Sequence, residues 1–555
     1  MIPILTLSEM REVERLSIAA GLSEYELILS AGEAVFHSVK AMLDAADEET
    51  FGAPGFTPAV EEPPPADDRD DTPKPPLVVF VCGKGHNGAD GLAAALRCAQ
   101  EGLSAAVYHV HAEKYSPETR RLREQLAAAE VPVHSIRSAA DLPVFEDADL
   151  VVDALLGSGL NRPPEGILAS LIHGINNGGR PVLSIDAPSG VPGDTAAIPG
   201  VSVRADATLC LGALKPSALF FPSRAAYGKT EYGRIAFDET LLAGQPSRLS
   251  MYTWDDALDD LPLKTWRSHK YSAGKVLVIA GSLGMHGAAA LCANAALRSG
   301  AGLVRAALPA GVHRDAAAHL LEIIGTPVGG DADRRFAPAH LPELTPWIEW
   351  ADAVVVGPGL GKHPETAAFL EALLPALRGK RVVVDGDALA LFRSGSAPSA
   401  EGLANFVLTP HAGEYARLGG LAAGSPQELI EDARALTRAL GTSLVRKGPT
   451  TFCVRPTGEM NVSASGNPGM ATAGTGDVLA GILGRLLAVR PPEEAMPLAV
   501  FLHGRAGDAA RRDRGTSGMT ASDLILYLPL AIKELEDALA ADEEDDEAED
   551  EDLGV

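Results

Sequence analysis

Short apolar runs alternate with longer amphipathic stretches along the first part of the chain. From Leu77 onward, the runs LVVFV, AAVYHV, ADLVVDALL and PVLSIDA predict short buried strands. The segment DGLAAALRCAQ, between the first two runs, repeats Leu and Ala at the spacing of one helix face. Strands that alternate with helices predict a parallel sheet with helices on both faces.

The alternation restarts after MYTWDDALDDLP, near residue 250. Strands are predicted at GKVLVIAGS, AGLVRAALP, ADAVVVGPGLG, KRVVVDGDAL, NFVLTPHAGE, TSLVRKGPT and TFCVRP, and a helical region from Gly474 to about Ala540. Because 555 residues are too many for one hydrophobic core, we predict two α/β domains, residues 1–245 and 250–540.

Two polar segments fall outside this pattern. Residues 53–76, APGFTPAVEEPPPADDRDDTPKPP, predict a disordered surface insertion between an N-terminal helix pair and the first core strand. A domain boundary there is less favoured, because residues 1–50 are too few for a core of their own. The tail, residues 541–555, contains DEEDDEAEDED and predicts a solvated, disordered appendage. Binding of partners by either segment is the alternative.

Charge and cysteine content narrow the classes of partner and compartment. The formal net charge is −27, which disfavours nucleic acid and anionic membranes as partners. The five cysteines are scattered, without a C-x-x-C pair, and predict buried reduced thiols. There is no signal-peptide pattern and no apolar run of membrane-spanning length. We therefore expect a cytoplasmic protein that acts on small molecules, and we expect a homo-oligomer.

Polar clusters follow three predicted strands of the first domain. The stretch VCGKGHNGADG has the letters G-x-G-x-x-G, which are a weak nucleotide signature by themselves. VVDALLGSGLNRP and SIDAPSG end two later strands, and the carboxyl ends of parallel strands share one edge. The side chains there supply oxygen ligands, which suit a hard cation; they are Asn87, Asp90, Asp153, Asp186 and Ser189. The alternative is that Asn, Asp and Gly only make turns.

The second domain contains a stretch typical of an anion site, NPGMATAGTGDVLAGILGRLLA. Gly474 and the two residues after it open a predicted helix, whose free N–H groups and dipole attract an anion. Asp477 is placed to take a proton from an attacking hydroxyl. The alternatives are that Asp477 only caps the helix and that His411, in TPHAGE, is an ordinary surface histidine. A Walker A pattern is absent from the sequence.

The three stretches of the first domain, in this order, resemble the signatures of the NAD(P)H-hydrate epimerase domain, which has a Rossmann-like three-layer fold; TLCLGALKPSALFFP resembles a later stretch of that family. His86 and Ala89 stand where the family has Asn and Gly. The resemblance implies a catalytic role for Asp186. The implied K⁺ ligands are Asn87, Asp153 and Ser189. The implied contacts to a hydrated nicotinamide substrate are His86, Asn87, Gly88, Ala89, Asp90, Gly157, Ser158, Gly159, Leu160, Asn161, Arg162, Pro163 and Asp186.

The second domain resembles the ADP-dependent NAD(P)H-hydrate dehydratase family over nearly all of residues 252–535. The resemblance lies in HKYSAGKVLVIAGS, GAAALCANAALRSGAGLV, VVVGPGLG, VVVDGDAL, LTPHAGE, KGPTT and AGTGDVLAG, in this order. It implies a ribokinase-like fold and ADP, with Mg²⁺, as the phosphoryl donor. The implied substrate contacts are Ala288, Gly359, His411 and Asp477. The implied nucleotide contacts are Lys447, Gly448, Pro449, Thr450, Thr451 and Gly476.

Together the two resemblances predict a bifunctional repair enzyme for hydrated NADH and NADPH. The first domain would interconvert the R and S hydrates, and the second would dehydrate the S form with ADP, giving AMP and phosphate. Asp477 would accept the proton of the 6-hydroxyl as that oxygen receives the phosphoryl group, and loss of phosphate would restore the ring. The alternative is a ribokinase-like vitamin kinase fused to a non-catalytic nucleotide-binding module.

Overall fold

The computed structural model describes residues 1–51 and 75–552, and it divides into two compact units. One unit spans Pro3–Ser247, and the other runs from Arg248 onward and includes Met1–Ile2. This division falls between the predicted domain limits at residues 245 and 250. The predicted insertion, residues 53–76, lies outside the described residues apart from its last two positions.

The described elements up to Ser247 follow the predicted alternation of strands and helices. The strands are β1 (Ile2–Pro3), β2 (Leu77–Cys82), β3 (Ser104–Val110), β4 (Val133–Ile136), β5 (Leu150–Ala154), β6 (Val182–Ile185), β7 (Ala207–Leu211) and β8 (Lys229–Gly233). The helices are α1 (Leu7–Ala19), α2 (Glu24–Phe51), α3 (His86–Gln100), α4 (Pro117–Ala128), α5 (Ile167–Asn177), α6 (Arg224–Tyr227) and α7 (Glu239–Ala243). Single 3₁₀ turns span Ala139–Asp141 and Pro216–Ala218.

The sheet of the N-terminal unit is parallel throughout its described strands, in the order β4-β3-β2-β5-β6-β7-β8. Alternate residues of β2 point to opposite faces. Val78 and Phe80 join the hydrophobic cluster that contains residues of α2 and α3, whereas Val79 and Val81 join the cluster that contains residues of α5. Because helices cover both faces, the unit has three layers, and the predicted α/β class is confirmed.

The C-terminal unit repeats the alternation on a larger sheet. Its strands are β9 (Leu249–Met251), β10 (Lys275–Ile279), β11 (Leu303–Pro309), β12 (Ile324–Val328), β13 (Ala353–Val356), β14 (Arg381–Val384), β15 (Phe406–Leu408), β16 (Ser443–Arg446), β17 (Thr451–Val454) and β18 (Met460–Ser463). Its helices are α8 (Trp254–Asp260), α9 (His286–Arg298), α10 (Ala310–Ala316), α11 (Leu341–Trp350), α12 (Pro364–Leu377), α13 (Ala412–Leu418), α14 (Pro426–Leu440), α15 (Thr475–Val489), α16 (Pro492–Arg514) and α17 (Ala521–Asp552). Turns of 3₁₀ helix span Ala317–His319, Pro338–His340, Gly386–Phe392 and Pro468–Met470.

The strands of this unit are ordered β9-β18-β17-β16-β15-β14-β13-β10-β11-β12. From β12 to β16 all neighbours are parallel, but β17 is antiparallel to both β16 and β18. Only Lys447–Thr450 separate β16 from β17. A parallel crossover needs a dozen or more residues, so this short connection closes a hairpin.

Helix α15 passes through the core of the C-terminal unit. Its residues from Val478 to Leu487 are all buried. Two glycines permit this packing, because a Cβ at Gly481 would lie 2.1 Å from the carbonyl oxygen of Cys292, and one at Gly484 would lie 2.3 Å from Val355. The predicted helix at GTGD is thus held tightly from its second turn onward.

Several features differ from the expectations or extend them. The predicted disorder of the acidic tail is wrong for the backbone of residues 541–552, since α17 continues past Ala540 to Asp552. The last three residues of the predicted tail lie outside the described residues. All five cysteines are free and buried, which confirms the predicted reduced thiols. Among the helices of residues 1–51 and 75–552, none is both long and apolar enough to cross a lipid bilayer.

Candidate active sites

A cavity of about 860 Å³ lies at the carboxyl edge of the parallel sheet in the N-terminal unit. The segments that follow β2, β5, β6 and β7 line it, together with residues of α1 and α2. In open α/β sheets, ligands bind in the crevice outside the carboxyl ends of the strands. The volume lies in the range of pockets that take small molecules and cofactors.

Asn87 is the buried polar residue at the start of α3. It is 9% exposed, and neither its amide oxygen nor its amide nitrogen has a hydrogen-bond partner. Leaving such a group unpaired costs about 1–3 kcal/mol. The side chain lines the cavity and lies against Gly157, where a Cβ would come within 3.4 Å of it. The Asn87 amide is therefore available to bind a ligand, or an ion that takes oxygen ligands.

Asp153 and Ser189 are joined by hydrogen bonds behind the cavity. The Asp153 carboxylate accepts from the Ser189 hydroxyl at 2.5 Å, the Ser189 N–H at 2.8 Å and the Ser184 hydroxyl at 2.8 Å. It also accepts from the Leu155 N–H at 3.2 Å. Burial raises the pKa of Asp153, although these hydrogen bonds oppose the rise. The pair ties the ends of β5 and β6 together.

Asp186 lies at the end of β6 in a left-handed conformation, with φ 67°. Its carboxylate accepts hydrogen bonds from the Ser158 hydroxyl at 2.7 Å and from the Lys215 ammonium. Lys215 is 2% exposed and also donates to the carbonyl oxygens of Ala213 and Leu211. Burial alone would raise the pKa of Asp186, but Lys215 and Ser158 outweigh it and hold the pKa below its ordinary value. Asp186 is therefore an anion at neutral pH.

His109 holds the loop between β2 and α3 through a hydrogen bond to its backbone. Its ring is fully buried, and Arg123 donates to Nδ1 at 2.7 Å. Because arginine has no acceptor, Nε2 carries the proton and donates to the carbonyl oxygen of Gly83 at 3.0 Å. Burial lowers the pKa of His109 to about 4, so the ring is neutral.

The predicted substrate contacts of this unit divide into those that line the cavity and one that does not. His86 lines it but is largely exposed, 3.1 Å from Glu24. Ala89 is 3% exposed and packs in the hydrophobic core, away from the cavity. The other predicted contacts all line the cavity: Asn87, Gly88, Asp90, Gly157, Ser158, Gly159, Leu160, Asn161, Arg162, Pro163 and Asp186.

The second site surrounds the start of α15. Gly474 is the N-cap, with φ 91°, and Asp477 is the third residue of the helix. Asp477 is therefore not the helix cap, which removes one alternative for this residue. Burial and the neighbouring Asp385 raise the pKa of Asp477 to about 7, although Lys447 opposes them. A carboxyl with this pKa exchanges protons readily at neutral pH.

Lys447 and Asp385 form an ion pair beside Asp477. The Lys447 ammonium donates to Asp385 at 2.8 Å, and the Thr409 hydroxyl donates to the same carboxylate oxygen at 2.6 Å. Burial opposes the charge on Lys447, but Asp385 outweighs it and raises the Lys447 pKa. A Cβ on Gly476 would lie 3.1 Å from the Lys447 nitrogen, so this lysine also approaches the GTG turn.

The remaining predicted contacts of the C-terminal unit differ in their surroundings. Gly359, with φ 62°, is next to Ala288, since a Cβ on Gly359 would lie 3.0 Å from the Ala288 methyl. The His411 side chain is 58% exposed, and its Nδ1 accepts from the Gly413 N–H at the start of α13. A single bridge pairs His411 with Lys447 in the sheet. The predicted nucleotide contacts Lys447–Thr451 form the hairpin loop and the first position of β17.

Charged and histidine residues around both sites were not predicted as functional. Asp385 and Lys215 each complete a buried ion pair. His109 donates to the carbonyl oxygen of Gly83 in the loop before α3, and His503 donates to that of Thr475 at the start of α15. The only sequence signal is position, since Asp385 directly follows a predicted strand in VVVDGDAL, and Lys215 stands alone in an apolar stretch. Their partners are distant in the chain, so pairing requires the fold.

Both units match known families. Residues 24–217 match the model of the YjeF-related protein N-terminus, and residues 276–530 match that of NAD(P)H-hydrate dehydratase. The bifunctional NAD(P)H-hydrate repair enzyme of Thermofilum pendens is 36% identical over 468 residues, which are 83% of this chain and 88% of that protein. The enzyme of the same name from Coxiella burnetii is 32% identical over 94% of this chain and 98% of its own length.

A solved structure also aligns with part of the chain. It is an ADP/ATP-dependent NAD(P)H-hydrate dehydratase from Bacillus subtilis, co-crystallised with ATP and Mg²⁺. It is 27% identical and covers 52% of this chain and 98% of its own, with a TM-score of 0.43.

The two α/β units, each with ion-paired carboxylates at the carboxyl edge of its sheet, define a two-domain enzyme with two separate sites. The relatives specify the class further, because they match both domains over most of the chain. The chain belongs to the bifunctional NAD(P)H-hydrate repair enzyme family.

Proposed function

We propose that the N-terminal domain interconverts the R and S hydrates of NADH and NADPH, and that the C-terminal domain dehydrates the S form with ADP, giving AMP and phosphate. The observation that carries the proposal is Asp477, a carboxyl with a pKa of about 7 at a helix N-terminus that can bind an anion. Membership of the family indicates the substrate class. The chain has two sites, one for each of the two reactions.

In the dehydratase site, Asp477 takes the proton of the 6-hydroxyl while that oxygen attacks the terminal phosphoryl group of ADP. The bond between that phosphorus and the bridging oxygen breaks, and AMP leaves. The C6–O bond then breaks with loss of phosphate, a proton leaves C5, and the C5=C6 double bond is restored. The N–H groups of Gly474 to Gly476 and the Lys447 ammonium stabilise the transferred charge.

The nucleotide contacts proposed for this domain are Lys447–Thr451 and Gly476, and the substrate contacts are Ala288, Gly359, His411 and Asp477. Within residues 1–51 and 75–552, His, Cys, Asp and Glu side chains form no group of three able to hold a metal ion. Mg²⁺ commonly binds through substrate phosphates with one or two carboxylates. We therefore propose that Mg²⁺ arrives with ADP and that Asp385 and Asp477 would supply carboxylate oxygens to hold it.

In the epimerase site, the proposed catalytic residue is Asp186, and the proposed substrate contacts are the cavity-lining residues named above with His86. K⁺ fits the residues of this site. The Asn87 amide oxygen is buried without a hydrogen-bond partner, and the side chains of Asp153 and Ser189 offer only oxygen atoms as ligands. Asn87, Asp153 and Ser189 would hold the ion. When bound, K⁺ would supply a positive charge to the site.

The test is recovery of NADH absorbance from a mixture of R and S hydrates, with ADP, ATP or no nucleotide. The full chain should convert the whole mixture with ADP. Asp477→Asn should recover none, whereas Asp186→Asn should recover only the S fraction at the enzymatic rate. Recovery without nucleotide, or by Asp477→Asn, would contradict the proposed dehydratase mechanism.

We also propose a cytoplasmic location, supported by the five buried thiols, none of which is in a disulfide. The homo-oligomer stays a prediction that light scattering of the purified chain would measure.

A further inference from the structure

Two carboxyl groups of the N-terminal cavity have opposite surroundings. Asp186 is held in an ion pair by Lys215 and in a hydrogen bond by Ser158. Asp90, the fifth residue of α3, lines the same cavity but makes no side-chain hydrogen bond within residues 1–51 and 75–552. One carboxyl is thus fixed as an anion, whereas the other is left for a ligand.

The charges that act on Asp90 come from three directions. Glu14 of α1 and Asp186 after β6 are carboxyls, and Lys215 after β7 is the ammonium that opposes them. Burial, and then these two carboxylates, raise the pKa of Asp90 well above its ordinary value. The adjacent Cys82 thiol is neutral, because burial raises its pKa too. Asp90 therefore favours its protonated form.

We propose that Asp90 is the proton donor of the epimerisation site and that Asp186 is its proton acceptor. This assignment rests on the proposed epimerase function of the N-terminal domain. Pairs of carboxyls whose surroundings favour opposite protonation states are the usual acid and base of enzymes that need both at one pH. Asp90 and Asp186 meet this condition in one cavity of sufficient size for the substrate.

The reaction balances with these two groups. The hydrate carries its hydroxyl on the carbon bonded to the ring nitrogen. Asp90 gives its proton to that oxygen, the C6–O bond breaks, and water leaves while the nitrogen lone pair forms a C=N⁺ bond. Water then adds to the other face, the electron pair returns to nitrogen, and Asp186 takes the excess proton. One proton passes from Asp90 to Asp186 and returns through water in the cavity.

The experiment compares Asp90→Asn with wild type and with Asp147→Asn in the full chain, by following R-to-S interconversion. Asp147 is an exposed aspartate of the same unit whose side chain makes no hydrogen bond or ion pair with any described residue, so it is a matched control. Asp90→Asn should lower kcat for epimerisation about 100-fold or more, the usual effect of losing a general acid. Asp90→Glu keeps a carboxylic acid, so its kcat for epimerisation should be at least about tenfold higher than that of Asp90→Asn. ADP-dependent dehydration of pure S hydrate should be unchanged in all three.

The pH profile separates proton donation from a structural role. The wild-type rate should fall as pH rises and Asp90 loses its proton, and this falling limb should be absent from Asp90→Asn. A wild-type rate that stays constant from about pH 5 to about pH 9 would overturn the assignment even if the variant failed to fold. Equal epimerisation by Asp90→Asn and Asp147→Asn would also overturn it while leaving the epimerase function in place. A wild-type chain that does not interconvert the hydrates would contradict the proposed function itself.

Discussion

Replacing Lys215 by Met should destabilise the N-terminal unit, because it leaves the Asp186 carboxylate without its cation. Lys215 is 2% exposed and the Asp186 side chain is 17% exposed. Removing one partner of a buried pair costs about 3–5 kcal/mol. Since Asp186 keeps the Ser158 hydrogen bond and some contact with the cavity, we expect the lower end, about 3 kcal/mol at pH 7.

The sign of the pH dependence follows from Asp186. In the wild type its pKa is depressed, so its stabilisation is present above the unfolded pKa and is lost as pH falls through the folded pKa. Without Lys215, burial raises the pKa of Asp186, and protonation relieves the unpaired charge. The difference in free energy of unfolding between the wild type and Lys215→Met should therefore shrink as pH falls from about 7 to about 5.

Hydrogen exchange read by mass spectrometry measures this effect in one unit at a time. Peptides from β5 and β6 report on the N-terminal unit, whereas the four tryptophans all lie in the C-terminal unit, so their fluorescence provides an internal reference. Lys229→Met is the control, because Lys229 is 78% exposed in its pair with Glu231 and should cost at most about 1 kcal/mol. Equal losses in the two variants, or a deficit that grows as pH falls, would refute the assigned charge state of Asp186.

Three further outcomes follow from the C-terminal site and core. The dehydration rate of the wild type should rise with pH through about 7, as Asp477 ionises, and Asp477→Asn should lose this limb together with turnover; a flat wild-type profile would exclude Asp477 as the base. Gly481→Ala should lower the free energy of unfolding of the C-terminal unit by about 1–3 kcal/mol, measured by tryptophan fluorescence in urea, because its Cβ would meet the carbonyl of Cys292. All five thiols should resist a thiol reagent in the native chain and react after unfolding; rapid native reaction would contradict their burial.

Several strands buried on both faces could be predicted, although β7 and β18, which are also fully buried, were not. Runs such as LVVFV have no polar positions, so the pattern identifies β2 directly. β8, with the sequence KTEYG, was missed because four of its five residues are partly exposed or exposed, and its polar side chains look like a loop. The antiparallel turn between β16 and β17 follows from chain length, since the connection has no room for a helix.

Only the site residues that follow predicted strands could be predicted from the sequence. Asp153 and Asp186 were found because they close apolar runs, and the edge of a parallel sheet brings such residues together. Lys215 could not be found in this way, because a single lysine is usually exposed and its partner Asp186 lies on another strand end. The burial of Ala89 was missed because neighbouring residues at a helix start face in different directions.

The two sites contain the same kinds of side chain. The surroundings of one carboxyl in each site differ, and this difference accounts for the opposite proton roles proposed for Asp477 and Asp90. Each has a buried lysine–aspartate pair, Lys215–Asp186 or Lys447–Asp385, beside a carboxyl near a helix N-terminus. Each also has a histidine beside that helix: His109 donates to the carbonyl oxygen of Gly83 in the loop before α3, and His503 donates to that of Thr475, the first residue of α15. Burial lowers the pKa of both rings to about 4. Asp477 has a pKa of about 7, so it is ionised often enough to take a proton from a hydroxyl. Asp90 lacks any hydrogen-bond donor within residues 1–51 and 75–552 and faces two carboxylates, so its proton is retained until a substrate oxygen accepts it. In the two proposed mechanisms, the same set of groups therefore provides a base where phosphoryl transfer needs one and an acid where a hydroxyl must leave as water.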